Sequence, residues 1–234
     1  MEHKKTSIVI PAYNEEATIA DIIKRVKNVV LPVNLEKEII VVDDASIDRT
    51  KKILDTISDI KIVSHPANIG KGGALRSGFA KATGDIIIIQ DADLEYSPEA
   101  YPVLLAPILS GESSVVFGSR NLQLKKNSYR YRTYLLGGIF IDKFINLILG
   151  LHLTDAITGS KAIAREVIDS FTLTSNGFEI EVELTAKIAR SGYKIIEIPV
   201  PYKARSFKEG KKIRWHDALK LLLAAIYYRF SSLK

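Results

Sequence analysis

The sequence predicts an α/β domain built on a mostly parallel, twisted sheet with helices on both faces. Three observations carry this. Short β-branched runs recur along the chain with helical patterns between them. The runs are nearly continuous in Ile and Val instead of alternating with polar residues. Polar and charged clusters follow the strands. A strand without a polar face needs cover on both sides, as in a parallel sheet flanked by crossover helices.

In chain order, the first strand is expected at Ser7–Pro11 (SIVIP), followed by a helical pattern over Glu15–Val29. The second strand is expected at Glu38–Asp43 (EIIVVD), with a helix over Asp48–Thr56, and the third at Lys61–Ser64 (KIVS), with a helix over Gly73–Ala82. The fourth strand, Asp85–Gln90, carries the run IIII and leads to a helix over Pro98–Leu109; Ser114–Gly118 and Lys194–Val200 complete the sheet. No internal repeat or low-complexity linker divides the chain, and its C-terminal third reads as a continuation of the same domain. The expected organisation is one domain over 1–213, including an amphipathic segment at 134–153, and an amphipathic C-terminal helix at 214–234.

In such sheets ligands bind beyond the carboxyl ends of the strands. There the sequence places PAYNEE (11–16), Asp43 and Asp44, then Asp91, Asp93 and Glu95, then GSRN (118–121). Any one cluster reads as a strand end entering solvent; four at one edge read as a site. Asp91, Asp93 and Glu95 alternate, so in an extended chain they share one side. Three carboxylates together repel unless a cation joins them, and Mg²⁺-like ions take oxygen ligands, commonly one or two carboxylates plus substrate phosphates. An isolated Asp-x-Asp also occurs in solvated turns, so the motif needs its context.

The 234 residues suit one large domain or a domain with an appendage, and 47% hydrophobic with 26% charged residues is an ordinary globular balance. The absence of cysteine excludes disulfides, thiolate metal sites and cysteine nucleophiles, and fits a reducing compartment. The apolar run Ile8–Ile10 is too short for a signal-peptide core, and no stretch reaches the ~20 apolar residues of a membrane span. The net charge of +6 is uneven: residues 201–234 hold nine Lys or Arg and two acids, a net of +7, while the rest is close to neutral.

The stretches IPAYNEE, VVDDAS, NIGKGGAL, IIQDADLEYSP and FGSRN, in this order and spacing, resemble family 2 glycosyltransferases, and more closely the dolichyl-phosphate mannose or glucose synthase-like branch. EIPVPYKARSFKEGKKIRW (197–215) adds to the likeness, which spans about residues 6 to 215. The resemblance implies a GT-A-type nucleotide-binding domain and inverting, metal-dependent transfer of a hexose from a nucleotide sugar of the GDP-mannose or UDP-glucose type to a polyprenyl phosphate. It implies that Pro11, Ala12, Tyr13 and Glu15 line the nucleoside pocket with Asp43, Asp44, Lys71 and Asp91. Asp91, Asp93 and Glu95 would hold Mg²⁺ or Mn²⁺. Asp93, Arg120, Arg205 and Lys211 would be the catalytic groups, the three cations holding phosphates. Two departures stand out: Glu95, where the branch often has Gln, and TGSKAI (158–163), where Lys161 replaces an expected Arg and cannot grip phosphate bidentately.

The chemistry fits a phosphate acceptor. A monoalkyl phosphate, with its second pKa about 6, is largely ionised at neutral pH and needs no general base, whereas an alcohol acceptor does. No histidine falls in the motifs; His3, His65, His152 and His216 read as structural or surface residues. Two segments could meet a lipid. One is 134–153, apolar but interrupted by Asp142, Lys143 and Asn146, and preceded by KKNSYRYRTY (125–134). The other is 214–234, with Lys220, Arg229, one Trp and two Tyr. Apolar face, basic flank and aromatic edge suit an interfacial helix. Packing on the core or in a homodimer is the alternative for both. The expected location is the cytoplasmic face of a membrane, peripherally bound. Lys125, Lys126, Lys203, Lys208 and Lys212 also read as a solvated cationic face.

Competing classes fit less well. A nicotinamide-binding domain needs G-x-G-x-x-G where PAYNEE stands, and Gly72 after Gly70–Lys71 breaks the P-loop pattern. Nucleic acid is not an expected partner, because the strong motifs are acidic. A sugar-hydroxyl acceptor and a non-catalytic nucleotide-sugar binder are the alternative functions.

Overall fold

The computed structural model describes residues 5–32, 35–123, 132–206, 210, 212 and 215–233. Seven strands form one sheet: β1 (Lys5–Ala12), β2 (Glu36–Asp43), β3 (Lys61–Ser64), β4 (Ile86–Ile89), β5 (Val115–Ser119), β6 (Lys161–Ala164) and β7 (Ile195–Pro199), in the order β3-β2-β1-β4-β6-β5-β7. All pairings are parallel except those of β6, which runs antiparallel between β4 and β5. The helices are α1 (Ile19–Asn28), α2 (Thr50–Leu54), α3 (Lys71–Lys81), α4 (Tyr101–Leu109), α5 (Arg132–Leu149), α6 (Arg165–Asp169), α7 (Ile180–Arg190) and α8 (Trp215–Phe230). The six strands expected from sequence are present. β6, α6 and α7 were not anticipated: β6 has only four residues, and a Lys opens it.

The isoleucine run of β4 is split between two cores. Ile86 and Ile88 face α1 and α4 with Ile8 and Ile10, whereas Ile87 and Ile89 face α3 and α7 with Val9. Both faces are buried, which is why the run does not alternate. A third cluster joins α5, α7 and α8 through Ile145, Val182, Leu221 and Ala225. No described helix is long and apolar enough to cross a membrane.

The chain moves outward from β1 to β3, then returns to place β4 on the other side of β1. That reversal opens a crevice at the carboxyl ends of β1 and β4. Three of the four described non-glycine residues with left-handed backbone, Asn14, Ala45 and Leu94, lie in the loops leaving β1, β2 and β4. Such conformations cost about 1–3 kcal/mol each and cluster at functional sites.

Candidate active site

A cavity of about 390 Å³ fills this crevice. Of the residues expected there, Pro11, Ala12, Tyr13, Glu15, Asp44, Lys71, Asp91, Asp93, Glu95, Arg120 and Arg205 line it. Asp43 does not: it is buried, and its carboxylate accepts the Ser46 N–H at 3.2 Å, closing the loop after β2. Lys211 lies outside the described residues, as do Lys125, Lys126 and Lys208.

Asp44 lines the wall, but both its oxygens are engaged. They accept the Ile69 and Gly70 N–H groups at 2.9 and 2.7 Å, and His65 lies 2.7 Å away, itself 2.9 Å from Ser77. This pins the loop that delivers Lys71. The Gly72 and Gly73 N–H groups donate to the Asn176 carbonyl at 2.6 and 3.2 Å. A Cβ on Gly72 would lie 2.3 Å from the Ser175 carbonyl oxygen, so GKGG serves the docking of segment 175–177. The Gly72 and Gly73 donors of the first turn of α3 are thus spent inside the protein, consistent with the failed P-loop pattern.

The acidic triad is not a preassembled ligand shell. Among the described residues no three carboxylate or imidazole groups stand ready to hold a metal. Leu94 turns left-handed, the chain is not extended, and each carboxylate finds its own partner. Asp91 lies 2.6 Å from Lys71, and Asp93 2.9 Å from Arg205. Glu95 accepts the Tyr202 hydroxyl and the Arg205 N–H, both at 2.7 Å, which ties segment 202–205 across the cavity. Arg205 also lies 3.0 Å from Glu15. Burial, with Asp91 and Glu95 nearby, pushes the Asp93 carboxyl up to about 7. The described lining holds six carboxylates (Glu15, Asp44, Asp91, Asp93, Glu95, Glu181) and four cations (Lys71, Arg120, Arg205, Lys212), a formal net of −2. An oxygen-only, net-negative donor set suits a hard divalent cation, with Asp91 and Asp93 the carboxylates best placed to hold one beside substrate phosphates.

Arg120 is anchored more firmly than expected of a phosphate clamp. Its guanidinium grips Asp155 bidentately at 2.7 and 2.6 Å and stacks 5.3 Å from the Tyr202 ring centre. Lys161 does not line the cavity: it is fully buried, contacts Glu181 and the Thr158 carbonyl, and lies 4.8 Å from the Phe117 ring centre. Lys212, read from sequence as part of a solvated face, instead reaches in to Glu15 and the Tyr13 carbonyl, while Lys203 is exposed as expected. Glu181 was missed; it lies in the first turn of α7 and contacts Lys71 at 2.8 Å. Nothing in EIEVEL singles it out from Glu179 and Glu183.

The helices beside the cavity bury one apolar side in the third cluster and expose further apolar residues on the other. On α5, Asp142 and Asn146 turn inward, Asp142 accepting the Ala156 N–H at 2.9 Å, while Leu136, Phe140 and Leu147 are exposed. On α8, Leu221 lines the cavity, whereas Leu223, Tyr227 and Phe230 are exposed. Tyr228 is not part of that aromatic edge: its hydroxyl bonds Ser175 at 2.7 Å.

Residues 7–171 match the family model described as Glycosyl transferase family 2. A dolichol-phosphate mannosyltransferase of Pyrococcus furiosus is 32% identical over 212 residues, covering 88% of this chain and 59% of that protein. An undecaprenyl-phosphate mannosyltransferase of Micrococcus luteus is 29% identical over 213 residues, covering 87% and 85%. Among solved structures, glucosyl-3-phosphoglycerate synthase from Mycobacterium tuberculosis, in complex with Mn²⁺, UDP and glucosyl-3-phosphoglycerate, superposes with a TM-score of 0.72 at 27% identity, covering 97% of this chain and 80% of that one. The chain thus spans little more than half the length of the Pyrococcus relative.

Proposed function

The chain belongs to the family 2 glycosyltransferases, and from that premise we propose that it moves a hexose from a nucleotide sugar to the phosphate of a polyprenyl lipid with inversion. The observation that supports this acceptor is the juxtaposition at α8: Leu221 borders the cavity into which Arg205 and Lys212 reach, while the opposite side of the same helix exposes Leu223, Tyr227 and Phe230. A lipid phosphate could reach Arg205 and Lys212 while its chain stays at a membrane surface. The outward apolar side chains of α5 and α8 would rest on that surface, with Lys143, Lys220 and Arg229 exposed toward anionic headgroups. This is a peripheral attachment, proposed for the cytoplasmic face.

In the reaction an acceptor phosphate oxygen attacks the anomeric carbon, the bond to the donor diphosphate breaks, and a nucleoside diphosphate leaves. Arg205 and Lys212 now neutralise Glu15 and, for Arg205, Asp93. Anionic ligands would take over these cations and bring two negative groups together. Lys71 would face the donor diphosphate. Asp91 and Asp93 would hold Mg²⁺ or Mn²⁺, which when bound supplies positive charge to the leaving group. Pro11, Ala12 and Tyr13, which line the cavity, would border the nucleoside. The donors proposed are GDP-mannose or UDP-glucose types, and two relatives named for mannosyl transfer to polyprenyl phosphates support the lipid acceptor.

A hydroxyl acceptor is the second reading. It is favoured by Asp93, a carboxylate that lines the cavity 2.9 Å from Arg205 and is of the residue type that accepts a proton from an alcohol. Purified protein with Mg²⁺ or Mn²⁺, GDP- and UDP-sugars, and either a polyprenyl phosphate in detergent or soluble sugar acceptors separates the two. The proposal expects transfer to the lipid phosphate alone, abolished by Asp93→Ala and by Arg205→Ala; transfer to a hydroxyl alone overturns it.

A further inference from the structure

We propose that Glu181 is a positioning residue for Lys71, holding its ammonium at the cavity wall while Asp91 engages the incoming donor complex. The inference rests on the donor reading above. Lys71 is caught between two carboxylates, Asp91 at 2.6 Å and Glu181 at 2.8 Å, with little of its side chain exposed. Those partners differ in kind. Asp91 follows β4 and faces the cavity from the acidic loop. Glu181 belongs to the first turn of α7, where the helix N-terminus favours a carboxylate, and it is fixed from behind by Lys161.

Lys161 in turn has no freedom. It opens β6, pairs in register with Ile89 of β4 and Phe117 of β5, and its ammonium also donates to the Thr158 carbonyl. The result is a chain of alternating charge, Asp91–Lys71–Glu181–Lys161, running from the cavity into the sheet. The Asp91 end is itself a member of the acidic triad. When Asp91 turns to a ligand, an unsupported Lys71 would lose its one remaining anchor and its long stem would regain rotamer freedom. Glu181 prevents this, so the ammonium stays aimed where a diphosphate would lie. This gives Lys161 a role as the fixed base of the chain.

The test is a double-mutant cycle read by calorimetric binding of GDP and UDP in the presence of Mn²⁺. Glu181→Gln keeps the shape and removes the charge; Lys71→Met removes the group positioned. The expected result is that each single variant weakens nucleoside diphosphate binding about 5- to 50-fold, and that Glu181→Gln adds nothing in the Lys71→Met background. Thermal unfolding of each variant reports any general loss of structure. Additive losses, or unchanged affinity in Glu181→Gln with a lowered Tm, would overturn the inference while leaving the donor reading intact. Failure of wild-type protein to bind either nucleotide would overturn the donor reading and this inference with it.

Discussion

Gly159→Ala tests how tightly the cavity wall fixes Asp91. Gly159 does not have left-handed backbone, so an alanine there meets no conformational penalty of its own. The obstacle is steric. An added Cβ would lie 2.3 Å from Asp91 Oδ2, 3.2 Å from its Cγ and 3.2 Å from Tyr96 Cε2. Ordinary contact needs roughly 3.4 Å, so the carboxylate must move by about 1 Å. It is held on its other side by Lys71 at 2.6 Å, and Tyr96 is fixed by the Gly159 N–H at 3.2 Å. Overpacking of this kind costs about 1–3 kcal/mol of stability. A 1 Å misplacement in a reacting constellation costs on the order of 10²-fold in rate. The assay is donor turnover beside urea unfolding, with Gly137→Ala as the control: it sits in α5 with nothing within 4 Å of an added Cβ, and should be neutral or slightly stabilising. Gly159→Ala protein that folds and turns over donor like wild type would refute the reasoning.

Other expectations follow from single contacts. Tyr202→Phe removes the hydroxyl that Glu95 accepts at 2.7 Å but keeps the ring beneath Arg120; a charged hydrogen bond of this kind contributes about 1.5–3 kcal/mol, so the urea midpoint should fall and the acceptor KM rise more than the donor KM. Burial, then the neighbouring Asp155, pushes the Asp142 carboxyl up to about 8. The native state therefore holds a proton that the unfolded chain releases, and this contribution to stability is complete below about pH 4 and lost as pH rises through 8. Urea midpoints measured across that window should fall more steeply for wild type than for Asp142→Asn; equal slopes would contradict the assignment. Leu223→Glu with Phe230→Glu should abolish co-sedimentation with anionic lipid vesicles and leave nucleoside diphosphate affinity unchanged. Unaltered sedimentation would remove α8 from the proposed membrane face.

The framework was legible because its strands are buried on both faces, and two-sided burial writes itself as uninterrupted Ile and Val. The carboxyl-edge cluster was legible because parallel topology forces those strand ends together. What escaped depends on side-chain partners distant in sequence. β6 is too short to show a pattern, and its Lys161 reads as a stand-in for a phosphate-holding Arg until Glu181 is seen beside it. Asp44 looks like a ligand-binding acid, yet the two N–H groups that occupy it come from Ile69 and Gly70. Arg120 looks like a free cation until Asp155 claims it. Lys211 and Lys212 are indistinguishable as letters; among the described residues it is Lys212 that contacts Glu15. The inward turn of Asp142 and Asn146, against the outward Leu136, Phe140 and Leu147, reverses what a polar interruption of an apolar helix suggests.

The most direct test of the central claim is to follow radiolabelled sugar from GDP-mannose and UDP-glucose into the organic phase, with the purified chain, Mn²⁺ and a polyprenyl phosphate. The account predicts label in an acid-labile lipid product of inverted anomeric configuration, lost in Arg205→Ala and Lys212→Met. Label that stays water-soluble at every donor, while nucleotide sugar is still bound, would contradict the lipid phosphate as acceptor.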